Sequence, residues 1–226
     1  MAEVPRPAFY ALQRGGWRDY VTLLHPPYTL WHLSYVAVGA ALAPGFHAVR
    51  LWWALGAFFL ALGVAAHALD ELNGRPLATE IPKRMLAALA VASLAGAVAI
   101  GVGAAIAWGY GLLAFVAVGG VLVPAYNLEW FGGAVHTDLG FALAWGAFPA
   151  LTGYFVEAQT IRVDALLAAA YATALSLAQR ALSTPVREAR RARRTTEGVE
   201  TLERALRLLT LAAAAVAVAA VTARLT

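Results

Sequence analysis

The apolar run Leu-Trp-Trp-Ala-Leu-Gly-Ala-Phe-Phe-Leu-Ala-Leu-Gly-Val-Ala-Ala-His-Ala-Leu occupies residues 51–69 and is long enough to cross a lipid bilayer as a helix. It continues directly into Asp-Glu-Leu-Asn-Gly-Arg-Pro-Leu, residues 70–77, in which Gly74 and Pro76 are a helix-stop signal. Apolar runs of this length predict an all-α integral membrane protein, because the strands of a membrane β-barrel are short and alternate in polarity.

The composition excludes an ordinary soluble domain. The chain has 226 residues, of which 61% are hydrophobic and 13% are charged, and its mean hydropathy is +0.67. We predict a single transmembrane helical domain over residues 1–226. Cysteine is absent, which excludes disulfides and thiolate-bound metals. Residues 1–27 contain no apolar core of signal-peptide length, so we expect them to form a cytoplasmic N-terminal arm.

Seven apolar segments are candidates for transmembrane helices. They approach or exceed the length that a helix needs to cross a bilayer. Small residues are frequent in the third segment, where Gly96, Gly101 and Gly103 allow close helix packing. The seven predicted spans are residues 28–43, 51–69, 85–108, 112–126, 139–156, 165–182 and 205–221.

The positive charges predict which helix ends face the cytoplasm. If the N-terminus is inside, most of the 17 lysines and arginines, Arg6 and Arg193 among them, fall on the cytoplasmic side. This bias predicts a protein of the bacterial or archaeal cytoplasmic membrane with a cytoplasmic N-terminus. We interpret residues 183–204 as a basic cytoplasmic loop that faces anionic lipid. A nucleic-acid site is not expected there, because no aromatic residues are interleaved with the arginines.

Polar side chains follow several of the predicted spans, always on the cytoplasmic side of this topology. A cavity that opens to the cytoplasm is the natural inference, because four connected helix ends would bring these groups to one membrane face. The residues concerned are His67, Asp70, Glu71, Tyr126, Asn127, Glu129, His136, Asp138, Gln179 and Arg180.

The segment after residue 66 carries the strongest functional signal. His67, Asp70 and Glu71 lie on one face of a helix, and carboxylates at the end of a membrane helix are usually kept to bind an ion, a substrate or a partner charge. The alternative is that they are interfacial charges and a hydrogen-bonded histidine. With Arg75 and Lys83 nearby, they have the chemistry to bind a magnesium-bridged diphosphate. Apolar helices would shelter an isoprenoid tail.

Four other side chains are candidates either for the cavity or for the membrane interface and helix packing. Tyr126 and Asn127 would either orient an acceptor or serve as interfacial anchors. Trp145 is deep enough in its span to line the cavity and stabilise a cation. His32 has no ligand-spaced neighbours and is expected to be a packing or interfacial residue.

Three stretches resemble the UbiA superfamily of intramembrane prenyltransferases. They are His25-Pro26-Pro27-Tyr28-Thr29-Leu30, the segment that contains Asp70 and Gly74-Arg75-Pro76-Leu77, and residues 140–154 around Trp145-Gly146-Ala147-Phe148-Pro149. The resemblance covers about the first 155 residues. It implies a UbiA-like bundle that opens to the cytoplasm. It also implies two aspartate-rich motifs that bind Mg²⁺ and a prenyl diphosphate, and transfer of the prenyl chain to a lipophilic acceptor.

The resemblance also implies a role for individual residues. Asp70 and Glu71 would hold magnesium, with His67 beside them, and Asp138 would polarise or position the acceptor. Arg75, Lys83 and Arg180 would bind the diphosphate. The chain departs from the family pattern in residues 176–187, which contain no carboxylate where the second motif is expected, so that Gln179 and Arg180 stand in its place. Seven spans are also fewer than the nine typical of the family.

The sequence therefore predicts a UbiA-like bundle of seven transmembrane helices that acts on a prenyl diphosphate. The expected partners are that substrate, a lipophilic acceptor, membrane lipids and either a second copy or a partner subunit, but no nucleic acid. Three alternatives stay open: a terpene cyclase on the same scaffold, a non-catalytic isoprenoid- or quinone-binding subunit, and a transition-metal enzyme. The last would bind iron, manganese or zinc through His67, His136 and carboxylates.

Overall fold

The computed structural model describes residues 7–192, 194 and 196–226. Within them the protein is all-helical, with 81% helix and no strand, which confirms the predicted all-α class. Arg6 and Arg193, which contribute to the predicted charge bias, lie outside the described residues.

The described residues form eight helices, most of them joined by short connections. A further 3₁₀ turn covers Trp130–Gly133. The helices are α1 (Trp17–Leu23), α2 (Pro26–Leu42), α3 (Ala48–Gly74), α4 (Lys83–Trp108), α5 (Leu112–Asn127), α6 (Asp138–Ala158), α7 (Val163–Arg191) and α8 (Glu197–Leu225).

Two of the helices contain a π-helical segment. In α3 this segment is Phe59–Ala66, and in α6 it is Leu143–Ala147. Wider π turns rotate the following residues relative to a regular α-helix and often occur at functional sites. The first segment ends immediately before His67, and the second contains Trp145. Both segments therefore affect the direction of side chains that were predicted to belong to a site.

Five of the helices, α3, α4, α6, α7 and α8, are long and apolar enough to cross a membrane. Helix α5 is apolar but has only 16 residues, with Pro124 inside it, and α2 has 17 residues. Each helix from α2 to α8 overlaps one of the predicted segments, although α7 ends at Arg191 and α8 begins at Glu197, well beyond the predicted edges at residues 182 and 205. The finding supports an integral membrane protein of the helical type.

Helix α2 lies at the centre and packs most extensively against α8 and the second half of α6. Close approach to α6 depends on two glycines. A Cβ atom at Gly39 would lie 2.0 Å from the carbonyl oxygen of Ala150, and one at Gly153 would lie 2.1 Å from that of Val36. Small residues thus let the two backbones touch, as is common between membrane helices.

The predicted basic connection over residues 183–204 is mostly helical in its described part. Helix α7 continues to Arg191, and α8 begins at Glu197, where the side chain of Thr196 accepts a hydrogen bond from the N–H of Val199. Arginine is a good helix former, so a run of arginines does not end a helix. An ion pair between Arg190 and Glu203 then joins the two helices beyond the membrane-length segments.

Candidate functional site

A polar cavity of about 590 Å³ opens at one end of the bundle. Its walls come from the N-terminal arm, the start of α2, the end of α3, the segment after α5, the middle of α6 and the last turns of α7. The predicted site residues that line it are His67, Asp70, Tyr126, Asn127, Trp145, Gln179 and Arg180, together with Glu129 and His136. Helix ends far apart in sequence therefore converge on one cavity.

Asp70 is the acidic group of the α3 wall. It lies one helical turn after His67, half-buried, near the end of α3. Its carboxylate makes no hydrogen bond or ion pair with any residue that the structure describes. An acceptor of this kind in a cavity is available to a cation or to a hydrogen-bond donor of a ligand.

A ladder of cations and hydroxyls forms the α7 wall. The members are spaced by three or four positions and therefore share one helix face. Arg187 donates hydrogen bonds of 3.2 Å to the hydroxyls of Ser183 and Thr184. The whole set comprises Arg180, Ser183, Thr184, Arg187 and Arg191. Arginine binds phosphate oxygens through several N–H groups at once, so this wall is suited to a phosphate-bearing ligand.

Asp138 lies beside this ladder and does not line the cavity. The Nε atom of Arg180 donates a hydrogen bond of 2.7 Å to its carboxylate, which is largely exposed. The guanidinium of Arg180 also lies 5.3 Å from the ring centroid of Phe141. Asp138 therefore positions Arg180, and the predicted contact of Asp138 with an acceptor has no geometric support.

The deep part of the cavity is aromatic. Trp145 packs edge-on against Tyr126, with ring centroids 5.4 Å apart, and His136 stacks on Tyr126 at 4.6 Å. Phe141 meets the ring of His32 at 5.6 Å. An aromatic floor below charged walls suits an amphiphilic ligand whose charged head stays near the mouth.

The N-terminal arm forms a wall that the sequence did not predict. The hydroxyl of Tyr10 and Nδ1 of His25 are hydrogen-bonded at 2.6 Å, and the ring of His25 stacks on that of His67. Burial, and then the neighbouring His67, hold the pKa of His25 well below its usual range, so the ring is neutral at pH 7. Burial also raises the pKa of Tyr10 well above its usual value, and its hydroxyl therefore remains a donor.

Glu71 does not line the cavity, and the structure gives no geometric support to its predicted role as a magnesium ligand. Its carboxylate is fully buried. It accepts hydrogen bonds from the N–H of Leu77 (3.0 Å), the N–H of Thr79 (2.7 Å) and the hydroxyl of Thr79 (2.9 Å). Adjacent positions on a helix point about 100° apart, so Asp70 and Glu71 have separate environments. Glu71 fixes the chain that follows α3.

Arg75 and Lys83 also lie outside the cavity, so the structure does not support the predicted contacts with a diphosphate. Arg75 donates to the carbonyl oxygens of Thr79 (2.8 Å) and Ile81 (2.9 Å), and it thereby holds the same connection that Glu71 holds. Lys83 is exposed at the first residue of α4. The cations that do line the cavity are mostly arginines of α7, of which the sequence analysis had assigned only Arg180 to the diphosphate.

A preformed transition-metal centre has no support in the geometry. In the part of the chain that the structure describes, no three His, Asp or Glu side chains are close enough to hold a metal ion. His67 directs Nδ1 to the carbonyl of Gly63 at 3.1 Å, and His136 directs its Nδ1 to that of Tyr126 at 3.2 Å. Each histidine is thus oriented separately.

Comparisons with protein-family models, with curated proteins and with solved structures found no match to this chain. The likeness to the UbiA superfamily stays a prediction from the three sequence motifs. The composition of the cavity walls is therefore the main guide to function.

Proposed function

We propose that this protein is an integral membrane enzyme that acts on a prenyl diphosphate and transfers the prenyl chain to a lipophilic acceptor. The observation that carries the proposal is the composition of one cavity. Asp70 on α3 and the arginines Arg180, Arg187 and Arg191 on α7 line its mouth, while Tyr126 and Trp145 line its depth. A ligand with a multiply charged head and an apolar chain matches both parts.

The α7 ladder would bind the diphosphate. Three guanidinium groups offer more N–H donors than any single phosphate can use, and Ser183 and Thr184 add two hydroxyls. In the reaction, the ester carbon–oxygen bond breaks and its electron pair leaves with the diphosphate. The arginines stabilise the charge that develops there. The nucleophilic atom of the acceptor then bonds to the prenyl carbon and loses a proton.

Magnesium is the ion that the family resemblance implies, and Asp70 is the residue that would hold it. Mg²⁺ is usually bound by one or two carboxylates, and it completes its shell with phosphate oxygens and water. A single Asp70 therefore fits the ion when a diphosphate lies against the α7 ladder. Bound there, the ion would further stabilise the leaving group.

An apolar groove in the bundle supports the proposal that the substrate carries an isoprenoid chain. It has a volume of about 100 Å³, and it is lined mainly by aliphatic and aromatic residues of α3, α4, α5 and α6. Leu62 and Trp145 line both this groove and the polar cavity. A chain that begins at the α7 ladder would pass these two side chains and continue among apolar helices.

The membrane topology belongs to the same proposal. Counting α2 and α5 with the five longer helices gives a bundle of seven spans with a cytoplasmic N-terminus, in a bacterial or archaeal cytoplasmic membrane. The end that carries the cavity is also rich in arginine, from Arg180 to Arg207, as the positive-inside rule expects for a cytoplasmic end. A cytoplasmic mouth would give access to water-soluble diphosphates.

A non-catalytic subunit that binds an isoprenoid or quinone is the second candidate. The absence of a carboxylate from residues 176–187 favours it, because the second motif of the prenyltransferases is then incomplete. A terpene cyclase would share the diphosphate site and differ only in the product. Turnover separates the enzymes from the binding subunit, and product analysis separates the two enzymes.

Binding of farnesyl thiolodiphosphate, a slowly reacting analogue, tests the substrate class. The purified protein in lipid nanodiscs is titrated with the analogue in the presence of Mg²⁺ and, in parallel, with farnesol. We expect at least roughly tenfold tighter binding of the diphosphate analogue, because farnesol leaves the α7 arginines unpaired. Equal affinities would contradict a diphosphate site.

A further inference from the structure

Residues 7–11 of the N-terminal arm form one wall of the polar cavity, and four of them line it. Among the described residues, their backbone makes one hydrogen bond, which is internal and runs from the N–H of Ala11 to the carbonyl oxygen of Ala8 at 3.1 Å. The chain is then fixed to α1 at Leu12, whose N–H donates a hydrogen bond of 3.0 Å to the hydroxyl of Thr22. A surface segment that lacks backbone bonds to the rest of a protein is of the kind that opens locally.

Polar and aromatic side-chain contacts hold this segment against the bundle. The hydroxyl of Tyr10 and Nδ1 of His25, the residue before α2, are hydrogen-bonded at 2.6 Å. The guanidinium of Arg207 on α8 lies 4.9 Å from the ring centroid of Phe9, within the range of a cation–π interaction. Both arm rings also meet Tyr28 edge-on, with centroids 6.4 Å and 5.6 Å apart. Each contact is individually weak, so the segment can separate from the bundle without unfolding it.

The segment shields a part of α7 that lines the cavity. Phe9 packs against the apolar cluster that contains Val186 and Leu206. Val186 is 4% exposed although it lines the cavity, and it directly precedes Arg187 in the sequence. In this position the arm screens the neighbourhood of Arg187 from water.

The same segment is connected to the α3 wall of the cavity. The ring of His25, which is bonded to Tyr10, stacks on that of His67 with centroids 4.1 Å apart. His67 lies one helical turn before Asp70. The position of the arm and the orientation of this wall are thus connected through two stacked rings.

We propose that residues 7–11 are a lid that controls access to the polar cavity. When the lid is closed, it shields the α7 wall from water and holds His25 against His67. When its contacts break, it moves away about its attachment at Leu12 and uncovers Val186. Lids of this kind admit a ligand and then separate it from water. The lid does not depend on which charged ligand the cavity takes.

The reactivity of a single buried thiol measures the opening of the lid. The chain contains no cysteine, so Val186→Cys introduces one thiol, at a position that the closed lid covers. The full chain in lipid nanodiscs reacts with N-ethylmaleimide, an uncharged reagent, and mass spectrometry follows the modified fraction over time. When opening and closing are fast compared with modification, the observed rate is proportional to the open fraction.

Weakening either polar contact of the lid should raise this rate. Tyr10→Phe removes the hydroxyl that bonds to His25, and we expect about tenfold faster modification, the value of one lost hydrogen bond. Arg207→Gln removes the cation over Phe9 and should give an increase of about two- to fivefold. The two changes together should give an increase of roughly 20- to 50-fold, because the two contacts share no side chain.

Control variants separate opening of the lid from other effects. Tyr20→Phe and Arg84→Gln alter exposed side chains that do not line the cavity, and they should leave the rate at Val186→Cys unchanged. Ala43→Cys is a second reporter, because Ala43 is 1% exposed and follows the last residue of α2, at the end away from the cavity. Its thiol should react at least roughly 100-fold more slowly, since the lid does not cover it and a larger opening is needed to expose it.

Three results would overturn the lid. An unchanged rate in both Tyr10→Phe and Arg207→Gln would mean that the reagent reaches the thiol without movement of the segment. Equal rates at the two reporters would mean that the whole bundle opens. Acceleration at Ala43→Cys by Tyr10→Phe would mean that the variant loosens the fold as a whole.

The proposed function and this inference fail separately, because no prenyl diphosphate enters the labelling test. Labelling that depends on Tyr10 and Arg207, without any turnover of a prenyl diphosphate, would overturn the enzyme and leave the lid. Turnover of a prenyl diphosphate, with labelling that is indifferent to both side chains, would overturn the lid and leave the enzyme.

Discussion

The imidazole rings of His25 and His67 stack with their centroids 4.1 Å apart and their planes 18° from parallel. The contact joins the residue before α2 to the turn of α3 that precedes Asp70. Tyr10 of the N-terminal arm is hydrogen-bonded to the same His25. These contacts of the N-terminal arm therefore stabilise the cavity wall that carries the carboxylate of Asp70.

The buried His25 should make the free energy of unfolding depend on pH. Because burial and His67 lower the pKa of His25 in the folded protein, only the unfolded chain takes up a proton as the pH falls below about 6.5. The free energy of unfolding should therefore decrease from about pH 7.5 to about pH 5. Thermal unfolding in detergent should show a smaller decrease for His25→Gln than for the wild type. Identical pH dependences would contradict a buried neutral His25.

Removal of the charge should destabilise the folded protein at Glu71 but not at Asp70. Glu71→Gln places an amide N–H₂ against the donors of Leu77 and Thr79, so we expect a loss of about 1–3 kcal/mol in the free energy of unfolding. Asp70→Asn breaks no bond to a described residue and should unfold close to the wild-type temperature. Urea or thermal unfolding of both proteins measures the difference. A larger loss for Asp70→Asn would contradict the assignment.

The packing of α2 against α6 should be intolerant of a single methyl group. Gly39→Ala places a Cβ at the carbonyl of Ala150 and should cost about 1–3 kcal/mol of stability through overpacking. Gly56→Ala on α3 is the control, because nothing lies within 4 Å of its added Cβ. The control should be neutral or slightly stabilising. Equal melting temperatures of the two variants would exclude the close helix contact.

Arg187 should contribute directly to the affinity for a diphosphate. Arg187→Gln keeps a polar side chain and removes the charge, so binding of farnesyl thiolodiphosphate should weaken by roughly 10- to 100-fold, as expected for a lost charged hydrogen bond. Arg84→Gln is the control, since Arg84 is exposed and does not line the cavity. If both variants bind as the wild type does, the α7 ladder is not the diphosphate site.

Hydropathy and helix-stop signals made the helices predictable. Gly74, for example, is the last residue of α3, where the sequence predicted a helix stop. The convergence of Asp70, Asn127 and Gln179 followed from counting membrane crossings. Such reasoning uses only length and polarity, which local sequence contains.

The partners of individual side chains were not predictable in this way. The neighbouring carboxylates of Asp70 and Glu71 look alike in sequence, yet only the fold of the chain after α3 shows that Thr79 returns to bond Glu71. Arg187 and Arg191 of α7 were assigned to a basic loop because of their charge, whereas Arg180 was assigned to the diphosphate. Their spacing of three and four residues was the available signal that they share a helix face. His32 was expected to be a packing or interfacial residue, and its buried position in the cavity wall depends on long-range packing that the local sequence does not contain.

Release of inorganic diphosphate is the measurement that tests the central claim most directly. The purified protein in nanodiscs is supplied with Mg²⁺, a panel of prenyl diphosphates of different chain lengths and a lipophilic acceptor. We predict release with at least one chain length, and a loss of at least roughly 100-fold in Asp70→Asn, whereas Arg84→Gln retains it. No release from protein that unfolds cooperatively, with any chain length, would contradict the account and leave a binding subunit in its place.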